Sequence, residues 1–306
     1  MKPALRDVIR PTTVIDPGRL NSRLGVRLIL AVETFQHTGS FKFRAAYNVA
    51  ANVPQSHLIT ASSGNFGQAL AYACRLLGKS CTVVMPLTSA RVKVEAVSEF
   101  GGVVDLIDLK IKSRKDRVAE LSRQNPGAYV ASAYDDPLVI QGNASLGEEL
   151  ATLHCSADRI IAPIGGGGLT AGIINGIRAA GRTIPVIGAE PVIANDAARS
   201  LREGRIVANE AEPQTIADGV RTLSVGRYNW EILKDGLSHI IEVTEEDICE
   251  AVRLLFALAN LKCEPTGALS LAAVLAAPED FHEGTTCCVV SGGNVDPGLY
   301  FKILNG

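Results

Sequence analysis

Between residues 26 and 290 the chain alternates short apolar runs with helix-patterned stretches, joined mostly by turns rich in glycine or serine. Strands are expected over 26–32, 58–61, 81–85, 103–107, 129–131, 159–164, 185–189, 239–243 and 286–290. Helices are expected over 42–50, 66–77, 89–100, 113–124, from 137 to about 154, up to 180, and over 194–203, 245–260 and 268–277. Residues 11–23 read as irregular and 204–229 as loop-rich. Strands that alternate with helices in this way imply α/β architecture with parallel sheets. The composition agrees: aromatics are only 5% and hydrophobic residues 47%, a balance suited to parallel strands buried on both faces between helices. With 306 residues, two α/β halves sharing a cleft are the economical arrangement.

A net charge of −2 provides no electrostatic footprint for nucleic acid. The seven cysteines form no CxxC pair, which fits reduced thiols better than a disulfide framework or a metal site. Residues 1–13 contain no apolar signal-like core, and no run has the eighteen or so apolar residues of a membrane span. The expectation is a soluble, cytoplasmic protein whose partners are small molecules rather than nucleic acid or membrane.

Five places carry chemistry. Lys42 follows a strand and opens a helix, so its amine is expected above the carboxyl ends of the strands, where open α/β sheets bind ligands and where it could form a Schiff base with an aldehyde cofactor. Gly165, Gly166, Gly167 and Gly168 lie between a strand and a helix. Four glycines there let backbone N–H groups converge on a phosphate. The spacing does not match G-x-G-x-x-G, so a single phosphate fits better than a dinucleotide. Ser62, Ser63, Gly64 and Asn65 precede another helix and suit a carboxylate, with the Asn65 amide available to a phenolic oxygen. Ser291 ends the last strand, where its hydroxyl could meet a ring nitrogen. Glu190 and Asp196, with Ala194 between them, form an oxygen-rich site for Mg²⁺, Ca²⁺, Mn²⁺ or a monovalent ion. The basic run 110–115 reads as a solvated helix face, and the five histidines pair with nothing at metal or triad spacing.

Ser-Phe-Lys-x-Arg at 40–44, Ser-Ser-Gly-Asn at 62–65, Gly-Gly-Gly-Gly-Leu at 165–169, Ala-Glu-Pro at 189–191, Ala-Asp-Gly-Val at 217–220, Glu-Pro-Thr-Gly-Ala at 264–268 and Ser-Gly-Gly-Asn at 291–294 occur in order. Together they resemble the fold-type II pyridoxal-phosphate (PLP) enzymes, in the branch of serine/threonine dehydratases and serine racemase. The resemblance implies a tryptophan synthase β-like fold of two open, twisted, mostly parallel sheets flanked by helices, with the cofactor in the cleft. It also implies a homodimer, a large domain of residues 1–56 and 136–306, and a small mobile domain of residues 57–135.

Carried over by position, the resemblance implies that Lys42 is the Schiff-base lysine and α-proton base, and that Phe41, Asn65, Gly165, Gly166, Gly167, Gly168, Leu169 and Ser291 hold the cofactor. It gives Ser62, Ser63, Asn65, Phe66, Arg114, Tyr134 and Gly219 to the amino-acid substrate, with Ser63 a second catalytic residue on the face opposite Lys42. Glu190, Ala194 and Asp196 match the racemase-like metal site. Phe66 stands where relatives commonly have histidine, and 141–144 departs from the usual Gly-Gln-Gly-Thr, so the substrate need not be plain serine. The expected activity is a PLP-dependent ammonia-lyase acting on a 3-hydroxy amino acid. The alternatives are an amino-acid racemase, a β-replacement synthase and a non-catalytic PLP-binding protein.

Overall fold

The computed structural model describes residues 3–62, 64–89, 91–152 and 156–306. The described residues form ten strands: β1 Thr13–Ile15, β2 Arg27–Val32, β3 His57–Ala61, β4 Ser80–Pro86, β5 Val103–Ile107, β6 Tyr129–Val130, β7 Arg159–Pro163, β8 Val186–Pro191, β9 Leu237–Val243 and β10 Thr285–Val290. They form two sheets. One has the order β1-β2-β10-β7-β8-β9 and the other β5-β4-β3-β6. Every pairing is parallel except β1 with β2, so the expected mostly parallel α/β fold is the one observed. The central strand β10 is buried along all six residues, which explains why Thr285–Val290 shows no polar alternation.

Several boundaries follow from local chemistry. Thr244 caps the helix Glu245–Ala259 through a reciprocal box with Asp247, and the shorter aspartate serves where glutamate is usual. Ser113 caps Arg114–Gln124 by accepting from the Asp116 N–H. The structure departs from the sequence expectation at the ends and in one loop. Residues 11–23, read as irregular, hold strand β1 and all but the last residue of the helix Gly18–Leu24, and a further helix, Pro297–Asn305, follows β10. Helix Arg227–Gly236 starts inside the stretch read as loop. Its weak local pattern is overridden by packing, because Trp230 and Leu233 fill the core beside Ile174 and Val225.

Helix Lys42–Asn52 is anchored by a fully buried arginine. Arg44 donates from Nε and Nη2 to Glu33 at 2.7 and 2.9 Å, and from Nη1 and Nη2 to Glu149 at 2.7 and 3.1 Å. This ties the start of the helix to the end of β2 and to helix Pro137–Thr152. Burial opposes the charge on Arg44, but the two carboxylates more than offset it and raise its pKa.

Candidate active site

The carboxyl ends of the two sheets face a cavity of about 730 Å³. It is lined by Phe41, Lys42, Ser62, Asn65, Phe66, Arg114, Tyr134, Gly165, Gly166, Gly167, Gly168, Leu169, Gly219 and Ser291, so one space brings together residues spread over 250 positions of sequence. Ser63 lies outside the described residues.

Lys42 opens its helix beside Phe41, whose N–H donates to the Ser291 carbonyl at 3.0 Å. That backbone bond joins the helix start to the end of β10 and fixes where the lysine emerges. The Lys42 ammonium donates to the Ala133 carbonyl at 3.0 Å and lies 4.9 Å from the Phe41 ring centre. Burial lowers its pKa from the ordinary 10.5 to about 8, and the negative charge of Glu264 opposes part of that shift. An amine in this state is partly neutral near physiological pH, as a nucleophile and base must be.

The glycine turn is close-packed against the protein. A Cβ on Gly165 would stand 2.8 Å from Val220 Cα, and one on Gly168 would stand 2.6 Å from the Tyr134 carbonyl oxygen. Gly167, at φ +91°, caps helix Gly168–Ala179 without any side-chain hydrogen bond to its first N–H groups. Those donors line the cavity at the positive end of a helix and suit a phosphate. The Asn229 amide steadies the turn by donating to the Gly166 carbonyl at 2.6 Å and to that of Tyr134 at 3.0 Å. Tyr134 stands with its ring against Gly166; burial raises its pKa, and the charges of Asp135 and Asp196 add to the rise.

Around Ser62 the hydroxyl is used to build the turn: it accepts from the N–H of Gly64 at 3.3 Å and of Gly67 at 3.1 Å. Asn65 is held on both sides of its amide. Its oxygen accepts from Asn294 at 2.9 Å and Gln68 at 3.3 Å, and its nitrogen donates to Glu264 at 2.6 Å. Among the described residues one N–H of Asn65 remains for a ligand. Phe66 packs in the hydrophobic core under the turn while also reaching the cavity. The Gly219 N–H is taken by the Thr266 hydroxyl at 2.9 Å. Arg114 is ion-paired to Glu212 at 2.5 Å.

Four cavity residues were not singled out by role from the sequence. Lys93 is buried and ion-paired to Asp218, a contact that links the helix Arg91–Glu99 to the short turn Asp218–Val220. Glu264 is fully buried, with Oε2 lacking any partner among the described residues. Burial drives its pKa up to about 7, with Lys93 opposing the rise. Arg221 completes the group. Asp218 and Glu264 lie inside the quoted motifs at 217–220 and 264–268, so a signal was present. Lys93 sits in a helix whose local sequence marks nothing.

The residues fit PLP. A glycine turn with uncapped donors can take the phosphate, Asn65 has a free N–H for the ring oxygen, and Ser291 is buried in the cavity at the end of β10. The buried, unpartnered Glu264 Oε2 is a polar group awaiting a ligand or proton.

Glu190, Ala194 and Asp196 lie elsewhere, at the end of β8 and the start of helix Asp196–Glu203. Glu190 accepts from the N–H groups of Ala197 and Ala198 at 3.3 and 2.6 Å. Asp196 accepts from Asn209 at 2.9 Å through Oδ1, backbone N–H groups including that of Val225 favour its charge, and Oδ2 is buried without a close partner among the described residues. Burial pushes Asp196 up to about 6 and Glu190 well above the carboxylate range. Among the described residues no three histidine, cysteine or acidic side chains cluster as a metal site. A cation here would rest on two carboxylates and a carbonyl. No helix of the described residues is long and apolar enough to cross a membrane.

Residues 5–292 match the family model described as pyridoxal-phosphate dependent enzyme. The chain is 34% identical over 292 residues to the beta-hydroxyaspartate dehydratase of Paracoccus denitrificans, an alignment that covers 94% of this chain and 92% of that one. It is 35% identical over 305 residues to the serine racemase of Homo sapiens, covering 95% and 88%. Among solved structures, maize serine racemase superposes with a TM-score of 0.91 at 30% identity, covering 98% of this chain and 93% of that one.

Proposed function

Because the chain belongs to the pyridoxal-phosphate dependent enzymes, we propose that it is an ammonia-lyase that eliminates water from a 3-hydroxy amino acid, the product hydrolysing to a 2-oxo acid and ammonia. The observation that carries this reading is a buried lysine of lowered pKa sharing one cavity with an uncapped glycine turn. Bound there, PLP supplies an aldehyde for the substrate amine and an electron sink for the bond broken at Cα. Lys42 removes the α-proton at Nζ, a task suited to an amine near pKa 8. Gly165 to Leu169 would hold the phosphate, Asn65 the ring oxygen and Ser291 the ring nitrogen. The Ser291 hydroxyl, unlike a carboxylate, would not enforce protonation of a ring nitrogen held there, which would favour elimination. The turn at 62–65 orients the substrate carboxylate, and Phe66 and Tyr134 shape the side-chain space.

A racemase activity is the second reading, favoured by the orphaned oxygen of Asp196 beside Glu190, which suits a cation, and by the serine racemase relative. In it Ser63 exchanges the proton on the face opposite Lys42. A proton NMR time course of the holoenzyme in D₂O with L-serine, L-threonine, 3-hydroxyaspartate and 3-phenylserine separates the two. Formation of a 2-oxo acid supports the lyase; α-proton exchange without elimination moves the assignment to a racemase. Ser63→Ala should abolish interconversion and spare elimination, and equal loss in both would remove that division of roles.

The reading includes a homodimer, tested by sedimentation, and mobility of residues 57–135 as a unit. The Lys93–Asp218 ion pair is suited to holding that unit closed over the cavity.

A further inference from the structure

The cations around the cavity are unequally neutralised. Lys93 is paired with Asp218, Arg114 with Glu212, and Lys42 faces the charge of Glu264. Arg221 and Lys115 line the same cavity and neither is ion-paired to a carboxylate among the described residues; Lys115 is exposed to solvent, whereas Arg221 is half-buried. Its described hydrogen bond is from Nε to the Thr215 carbonyl at 2.8 Å, which leaves the two terminal nitrogens for a ligand. The support is firm. Thr215 donates from its hydroxyl to Glu245 at 2.6 Å, and the Ile216 N–H donates to the other Glu245 oxygen at 2.7 Å, so the anchoring backbone is itself fixed.

Its placement fits a substrate group. Arg221 follows Val220, the residue packed on Gly165, and its charge bears on Lys93, whose ammonium lies 3.8 Å from a Cβ built on Gly64. Arg221 therefore shares with Lys93 the side of the cavity that holds the turn given to the α-carboxylate, where the first N–H groups of helix Asn65–Leu76 receive no side-chain hydrogen bond from the N-cap residue, Gly64. A substrate with a neutral side chain would leave a half-buried guanidinium facing it without a counter-charge. A second carboxylate on Cβ would supply that charge and match the planar donor fork.

We propose that Arg221 is a specificity-determining residue that binds the distal carboxylate of the substrate, so that the enzyme acts on acidic 3-hydroxy amino acids of the 3-hydroxyaspartate class. This rests on the lyase reading above for the hydroxyl, but not for the carboxylate. The competing role for the guanidinium is as a partner of the cofactor phosphate.

The test uses ligands that lack a β-hydroxyl and so bind without eliminating water. L-Aspartate and L-alanine are titrated into the holoenzyme, wild type, Arg221→Met, Arg221→Lys and Arg114→Met, following the cofactor absorbance, and the PLP dissociation constant of each protein is measured. Arg221→Met should lower the aspartate-to-alanine affinity ratio by roughly 30- to 100-fold, the scale of a lost charge-assisted contact. Arg221→Lys should recover part of that, with PLP affinity within about threefold of wild type. An unchanged ratio in both Arg221 variants overturns the proposal. So does weakened PLP binding with equal loss for both ligands, or a ratio that collapses only in Arg114→Met. Should wild type discriminate through Arg221 yet release no ammonia from any 3-hydroxy amino acid, the specificity assignment stands and the lyase reading falls.

Discussion

The Asn65 amide and Glu264 share a hydrogen bond of 2.6 Å, and the second oxygen of that glutamate is buried with no partner among the described residues. The pair joins the helix that starts at the 62–65 turn to the helix Pro265–Ala276, and it lies within the electrostatic reach of both Lys42 and Lys93. Its charge state therefore bears on the base and on the cofactor contact together.

Replacing Glu264 by glutamine should move the base. Glu264 raises the pKa of Lys42, so removing its charge lets burial lower that pKa below about 8. Only the neutral amine attacks an aldehyde, so the pH midpoint for PLP uptake by the apoenzyme should fall in Glu264→Gln. Stopped-flow absorbance against pH measures it. A midpoint that stays or rises would show that the two groups are not coupled.

The same groups set opposite slopes on apoenzyme stability. Glu264 rises from 4.5 to about 7 on folding, so between those values the native state holds more protons than the unfolded chain and stability falls as pH rises. Lys42 drops from 10.5 to about 8, so between 8 and 10.5 the unfolded chain holds more protons and its contribution to stability climbs with pH. Urea unfolding of wild type, Glu264→Gln and Lys42→Met across pH 4.5 to 10.5 should show the first slope weakened in one variant and the second in the other.

Gly165→Ala tests the phosphate turn. The new Cβ would meet Val220 Cα at 2.8 Å, a backbone atom that cannot rotate away. The turn must shift, which should weaken PLP binding by about 10-fold or more while costing roughly 1–3 kcal/mol of stability. Equilibrium dialysis and thermal unfolding of the apoenzyme separate the two effects.

Much of this arrangement was legible in the sequence because it is local. A strand, a turn and a helix start are contiguous, so Lys42, the 62–65 turn, the glycine turn and Ser291 could each be placed at a sheet end before any contact was known. The helix Arg227–Gly236 was not, since it is selected by Trp230 and Leu233 filling a core made by distant segments. Lys93 was also hidden. Its meaning comes from Asp218, 125 positions away, and nothing in the pattern of its own helix distinguishes it from a surface lysine.

Arg44 is the support whose loss should be felt furthest. Its side chain is fully buried, as is that of Glu33, and Glu149 is mostly so. Arg44→Met fills the space but leaves two carboxylates facing each other without a cation, and breaking a buried pair costs about 3–5 kcal/mol. Arg44→Lys keeps the charge yet cannot bond both carboxylates through a planar fork, so it should recover only part of that stability. Adding Glu33→Gln and Glu149→Gln to Arg44→Met removes the stranded charges and should restore more than the lysine does. Because Arg44 lies two residues beyond Lys42 on the same helix, the single Met variant should also bind PLP more weakly than the triple variant. Urea unfolding with PLP titration on the four proteins checks both orders. Equal stability of the Met and Lys variants would mean that the helix is held by packing and not by the ion triad.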